Sequence, residues 1–131
     1  ARQNILNNVY ALKDIQNEYG LSYLFISHDL GVVEHMCDEM FIMYKGRFVE
    51  TGTKKDIYEN PQHIYTKRLL SAIPDVTPNG RDERKIVRIE VERDYQQNHH
   101  KYFDENGRVY DLSPISNTHF VATSSSNKEG I

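Results

Sequence analysis

Cysteine, long apolar runs and an excess of basic charge are what this 131-residue sequence has least of. Its single cysteine, Cys37, excludes an internal disulfide framework and any cysteine-built zinc or iron–sulfur site within one chain, and fits a reducing compartment. No apolar run approaches the roughly 18 residues of a membrane-spanning helix. No charged segment followed by an apolar one opens the chain, so neither a span nor a signal peptide is expected. Lys and Arg number 16 against 19 Asp and Glu, a formal net charge of −3. A protein that works by neutralising nucleic-acid phosphates needs a basic face, so no nucleic-acid partner is expected. The nine tyrosines then read as core and interface groups rather than base-stacking ones. The length allows one domain, or a piece of one with a tail. The sequence opens at Ala1-Arg2, inside a helical pattern and without an initiator Met, which points to a piece of something longer.

The organising stretch is Tyr23-Leu24-Phe25-Ile26-Ser27-His28-Asp29-Leu30. Its bulky apolar run is long enough for one buried strand and too short for a helix. The run ends in Ser-His-Asp and feeds another apolar-periodic segment. Ligands in open α/β sheets sit beyond the carboxyl ends of the strands. His28 is therefore the leading candidate for chemistry, and Asp29 the expected N-cap of the helix that follows.

Upstream, Ile5, Leu6, Val9, Leu12 and Ile15 repeat at helical spacing, and Gly20 stands where a helix-ending glycine belongs. A helix passing through one glycine into a buried strand over 21–27 predicts half of a βαβ crossover and a parallel sheet. Downstream, Glu39-Met40-Phe41-Ile42-Met43-Tyr44 and Phe48-Val49-Glu50-Thr51-Gly52 predict a hairpin turning at Lys45-Gly46-Arg47. Thr53 and Asp56 form an approximate capping box for a helix that Asn60-Pro61 breaks. Ile64, Leu69, Leu70 and Ile73 mark another amphipathic helix, ended by Pro74. Residues 74–85 read as a linker. Residues 86–92 alternate like a half-exposed strand. Tyr102-Phe103, Val109-Tyr110 and His119-Phe120-Val121 suggest further short strands, with Asn106-Gly107 a hairpin turn. Residues 123–131, rich in Ser, Asn and Gly, read as a disordered tail.

The run from Tyr23 to Leu30, followed by Cys37-Asp38 and Met43-Tyr44-Lys45-Gly46-Arg47, resembles the C-terminal half of an ABC-transporter ATPase subunit. Asn60-Pro61-Gln62-His63-Ile64-Tyr65-Thr66-Lys67-Arg68-Leu69-Leu70-Ser71-Ala72-Ile73-Pro74 is similar to the segment that marks ATPases of oligopeptide and dipeptide importers, with Ile64 in place of the usual proline. His119-Phe120-Val121-Ala122 resembles the ending of the second ATPase subunit of those importers. The resemblance is strongest over residues 13–74. It implies an α/β fold: the C-terminal half of a P-loop (RecA-like) ATPase core with parallel strands and helices over 1–73, and a small, mostly β extension over 86–122. It also implies that His28 is the switch histidine, touching the γ-phosphate of ATP. ATP and Mg²⁺ would be the parent's cofactors. A second ATPase subunit and transmembrane permease subunits would be its partners, at the inner face of the cell membrane.

The family's phosphate loop, Gly-x-x-x-x-Gly-Lys-Ser/Thr, has no counterpart in these residues. Neither do its Leu-Ser-Gly-Gly-type signature nor its apolar strand ending in Asp-Glu. The chain alone is therefore expected neither to bind nucleotide nor to hydrolyse it. The alternative is a non-catalytic regulatory or dimerisation module built on the residues beyond Arg84, and strand edges left open predict self-association. Cys37, beside Met36, reads as a packing residue. The adjacent His99 and His100 point different ways and lack a carboxylate or thiolate constellation, so no metal site is expected there.

Overall fold

The computed structural model describes residues 2–73 and 81–124, with side chains from residue 7 in the first stretch and from residue 85 in the second. The chain divides into two compact units, Ala1–Asp38 and Glu39–Ile131.

The first unit begins with helix α1 (Arg2–Tyr19). It stops at Gly20, whose φ of 65° places it in the left-handed region and whose N–H donates to the Gln16 carbonyl at 2.8 Å. A short helix, α2 (Leu30–Val33), follows with Asp29 as its N-cap. Val9 on α1 packs with Val32 and Met36, and Leu12 and Phe25 lean half-buried on that small cluster. Residues 21–27, expected as a buried strand of a parallel sheet, are unpaired, with Leu24 91% and Ile26 87% exposed. The reason is the lack of a ladder partner: every strand pair among the described residues is antiparallel and involves other segments. Without a neighbour an apolar run has nothing to exchange backbone hydrogen bonds with.

The second unit is built on the hairpin of β1 (Glu39–Tyr44) and β2 (Arg47–Thr53). Lys45 (φ 48°) and Gly46 (φ 82°) both take left-handed conformations, as a two-residue hairpin turn requires. Met40 and Ile42 face inward while Phe41 and Met43 face out, the alternation of a half-covered strand. Thr53 then caps α3 (Lys54–Glu59) in a full capping box with Asp56. Gly52 is required beside it, because a Cβ there would lie 2.9 Å from Asp56 Cβ. Asn60 ends α3, and α4 (Ile64–Ser71) starts after the Pro61 turn. Beyond residues 74–80, which lie outside the described residues, come α5 (Arg81–Gln97), one 3₁₀ turn (His99–Lys101), β3 (Leu112–Pro114) and β4 (Phe120–Ala122). The sheet order is β1-β2-β4-β3, so the last strand to be made inserts beside β2.

Helix α5 replaces both the end of the expected linker and the expected strand over 86–92. Seven alternating residues fit either period. What decides is Val87, Val91 and Tyr95, spaced as one helical face, together with Arg, Lys and Glu, which are strong helix formers. That face meets α4, where Arg68 Nε pairs with Glu92 Oε1 at 2.6 Å and its guanidinium lies 4.7 Å over the Tyr95 ring. Phe103 and Val109 form a single antiparallel bridge rather than strands. Between them Gly107 (φ 77°) makes the expected turn. Of the tail expected over 123–131, Ser124 is fixed by its N–H to the Lys101 carbonyl at 3.0 Å, and residues 125–131 lie outside the described residues.

The core of this unit includes the buried Val49, Ile57, Ile64, Val121 and Ala122, together with Phe103, which is 1% exposed and stacks with the His99 ring at 4.4 Å. Phe103→Ala should cost about 3–5 kcal/mol in urea denaturation of this chain, the usual loss for a buried aromatic. Leu24→Ala should change stability by less than about 0.5 kcal/mol, as an exposed side chain does. The opposite ranking would place residues 21–27 in the core after all.

Candidate functional site

Glu50 lies in the middle of β2, a strand paired on both sides, and is 0% exposed. A carboxylate so placed must find donors or forfeit several kcal/mol. It finds three. The N–H of Gln62 donates to its two oxygens at 3.0 and 3.2 Å, the N–H of His63 at 2.8 Å, and Nε2 of His119 lies 2.5 Å away. The Asn60-Pro61 break turns the chain so that the two backbone donors, just before α4, face β2. The N-terminal end of α4 adds a favourable partial charge for the carboxylate.

His63 is itself the N-cap of α4, its Nδ1 accepting from the N–H of Tyr65 at 3.0 Å. An accepting Nδ1 leaves the ring proton of the neutral imidazole on Nε2. That atom is buried with no hydrogen-bond partner among the described residues. The ring packs against Tyr102 at 4.8 Å and Phe103 at 5.6 Å. Burial pushes its pKa from 6.5 down to about 3, so the imidazole is neutral. The Tyr102 phenol is pushed up, by burial first and then by the negative charges of Asp94 and Glu50.

A second clasp binds the same elements from the other side. Ser116 Oγ accepts from the N–H groups of Thr118 and His119, at 3.2 and 3.1 Å, and shapes the turn before β4. From that turn the Thr118 hydroxyl donates to Asp56 Oδ2 at 2.8 Å. This bond, followed by the Thr53 N–H, holds the Asp56 carboxyl below its ordinary range. The capping box of α3 and the hydrogen bonds of Glu50 thus converge on one loop. Glu50 and His119 are both buried, 0% and 2% exposed, so the pair serves to position the elements that carry it.

His28 belongs to the first unit and is exposed. Ser27 Oγ accepts from the Asp29 N–H at 3.1 Å, and Asp29 Oδ1 accepts from Gly31 and Val32 at 2.9 and 3.3 Å. The imidazole therefore stands between Ser27, which accepts from the N–H of the cap residue, and Asp29, which caps α2, on a backbone held from either side. Asp29 is the N-cap that the sequence predicts. The half-buried His99 stacks on Phe103, and His100 lends its carbonyl to the Tyr110 hydroxyl at 3.2 Å. Among the described residues no three His, Cys, Asp or Glu side chains cluster closely enough to hold a metal ion.

Sequence reasoning did not single out Glu50 or His63. The signal was present for Glu50: a lone charge within an apolar strand flanked by Val49. His63 and His119 stood inside the quoted family segments, but nothing local said that both would meet Glu50.

Residues 49–106 match the family model described as the C-terminal region of the oligopeptide/dipeptide transporter. The chain is 47% identical over 111 residues, 85% of its length, to the oligopeptide transport ATP-binding protein OppF of Lactococcus lactis subsp. lactis, of which this covers 35%. Over 83 residues, 63% of the chain, it is 57% identical to the dipeptide transport ATP-binding protein DppF of Haemophilus influenzae and 55% identical to that of Escherichia coli. Those 83 residues cover 24% of each of the two proteins. The chain thus spans about a third, or less, of the length of the curated relatives it matches. No solved structure matches it.

The neutral, buried His63 makes stability depend on pH with a definite sign. Unfolding returns the imidazole to 6.5 while the folded chain holds it near 3. Between those values the unfolded state binds a proton that the folded state refuses, so stability is complete above 6.5 and falls as pH drops toward 3. The slope reaches about 1.4 kcal/mol per pH unit. Asp56 adds its own loss only as pH falls below the ordinary 3.8. In His63→Asn, which keeps a side-chain N-cap acceptor, urea midpoints measured between about pH 7 and pH 5 should lose that slope relative to the unsubstituted chain. An unchanged slope would contradict the assignment.

Proposed function

We propose that this chain is the C-terminal portion of the ATP-hydrolysing subunit of a peptide importer, a reading supported by the match of residues 49–106 to the family model of the oligopeptide/dipeptide transporter C-terminal region. The observation that carries this is the 47% identity to OppF of Lactococcus lactis over 85% of the chain. In the whole protein the exposed imidazole of His28, held between Ser27 and the cap Asp29, contacts the γ-phosphate of ATP and orients the attacking water. A single well-placed donor suits phosphoryl transfer, in which positioning and charge stabilisation do most of the catalysis. ATP with Mg²⁺ supplies the phosphoryl bond that is broken.

The chain has no Gly-x-x-x-x-Gly-Lys-Ser/Thr run. The nucleotide cradle therefore belongs to the rest of the subunit, and this chain alone does not turn ATP over. Residues 21–27 pair into the parallel RecA-like sheet when the partner strands of the whole protein are beside them, which accounts for the bare Leu24 and Ile26 here. The partners are a second ATPase subunit and the transmembrane permease subunits, and the place of work is the cytoplasmic face of the cell membrane. The region fixed by Glu50, His63 and His119 serves as a rigid appendage to that engine.

In a full-length subunit carrying these residues, His28→Ala should lower steady-state ATP turnover by about 10²–10³-fold while leaving ATP binding in place. Turnover at the unsubstituted rate would remove His28 from the mechanism.

A further inference from the structure

The second unit carries a cluster that the ATPase reading does not use. The Lys45-Gly46 turn and the Asn106-Gly107 turn, far apart in sequence, bound one concavity of about 130 Å³, lined by Tyr44, Lys45, Arg47, Asn106, Gly107 and Arg108 among others. A site needs only about 10–15 Å³ of such space to hold one water, so this one has room for several waters or one small polyatomic ion.

Three of the lining side chains are cationic, in a chain of net charge −3. Their neutralisation is incomplete. Arg47 Nη2 pairs with Asp111 Oδ1 at 2.9 Å, but the Asp111 side chain is 89% exposed and the pair is correspondingly weak. The nearby Asp104 Oδ1 is committed to the backbone N–H groups of Asn106 and Arg108, at 2.8 and 3.0 Å. Lys45 Nζ lies 5.4 Å over the Tyr44 ring. Neither Lys45 nor Arg108 has a carboxylate partner among the described residues.

The walls are also held in place. Asp104 closes the Asn106-Gly107 turn with its N–H to the Arg108 carbonyl at 2.8 Å, while its own carbonyl accepts from Gly107 at 3.0 Å. Tyr44 is packed on Phe103 at 5.1 Å and on Tyr65 at 4.9 Å, and Phe103 bridges to Val109. The space above both turn glycines is open, with nothing within 4 Å of where a Cβ would stand.

We propose that this concavity binds a tetrahedral oxyanion, a phosphate or phosphomonoester group. Two guanidinium forks and one ammonium at a shared, fixed concavity provide bidentate and point-charge recognition of such a group. An anion there relieves the mutual repulsion of three like charges. The site goes beyond the ATPase reading: it uses residues of the second unit only and does not involve His28. The same chemistry is offered by soluble phosphate and by a phospholipid headgroup.

Two titrations separate these sources. In the first, amide spectra of the ¹⁵N-labelled chain are followed as sodium phosphate replaces chloride at constant ionic strength. In the second, the chain is co-sedimented with phosphatidylcholine vesicles that contain or lack phosphatidic acid. Saturable shifts confined to residues 44–47 and 104–109, weakened about tenfold or more by Arg108→Gln, establish soluble phosphate as a ligand. Sedimentation that requires phosphatidic acid and is lost in Arg108→Gln, without shifts in free phosphate, assigns the site to the headgroup. Lys55→Gln, which removes the same charge from an exposed position on α3, should change neither result. Binding in neither titration, or equal loss in Lys55→Gln and Arg108→Gln, overturns the proposal. An Arg108→Gln spectrum unchanged away from the two turns shows that the loss is local.

Discussion

The carboxylate of Glu50 is the constraint on which the second unit depends. Removing an ion from water costs several kcal/mol, and this one is tolerated only because two backbone N–H groups and an imidazole surround it. Each donor comes from a segment that would otherwise be free to settle elsewhere: the turn before α4 and the start of β4. To withdraw one is to leave a buried charge under-compensated, so the three segments share one arrangement. The sheet order follows from the same bond, since His119 is adjacent to the strand that lies against β2, where Glu50 faces Val121.

The rest of the unit propagates from that point. With the turn before α4 fixed, the His63 ring is set against Tyr102 and Phe103. Phe103 carries Tyr44 on one side and the bridge to Val109 on the other, and these two contacts bring the basic turns together. Asp56 plays a similar part at smaller scale, serving the capping box of α3 and the Thr118 hydroxyl with one carboxylate. In the first unit Asp29 does comparable work by capping α2 beside His28. Acidic side chains thus fix local geometry repeatedly, at Glu50, Asp56, Asp29 and Asp104, chiefly by accepting from N–H groups that a helix or a turn leaves unpaired.

Local chemistry was the part legible in the sequence. Gly20 as a helix stop, Asp29 as a cap, the Lys45-Gly46 turn, the Thr53–Asp56 box and the Asn60-Pro61 break each depend on a few neighbouring residues, and each stands where the residues predict it. Residues 21–27 and 86–92 went otherwise because their state depends on a neighbour. A strand needs a partner, which 21–27 lacks among the described residues; a short alternating run needs a packing surface, which α4 supplies to 86–92 as a helix. The segment from Asn60 to Pro74 points to peptide-importer ATPases by its residues alone. What no local pattern carried was the meeting of Glu50, His63 and His119, which are brought together only by the chain's return to insert β4 beside β2.

The most direct test of this account is a double-mutant cycle between Glu50 and His119, read as urea-denaturation stability for Glu50→Gln, His119→Gln and the pair together. If the buried carboxylate is what binds β2 to β4, the two losses should be coupled by about 1.5–3 kcal/mol, the worth of a hydrogen bond to a charged group. Losses that simply add, to within about 0.5 kcal/mol, would contradict it.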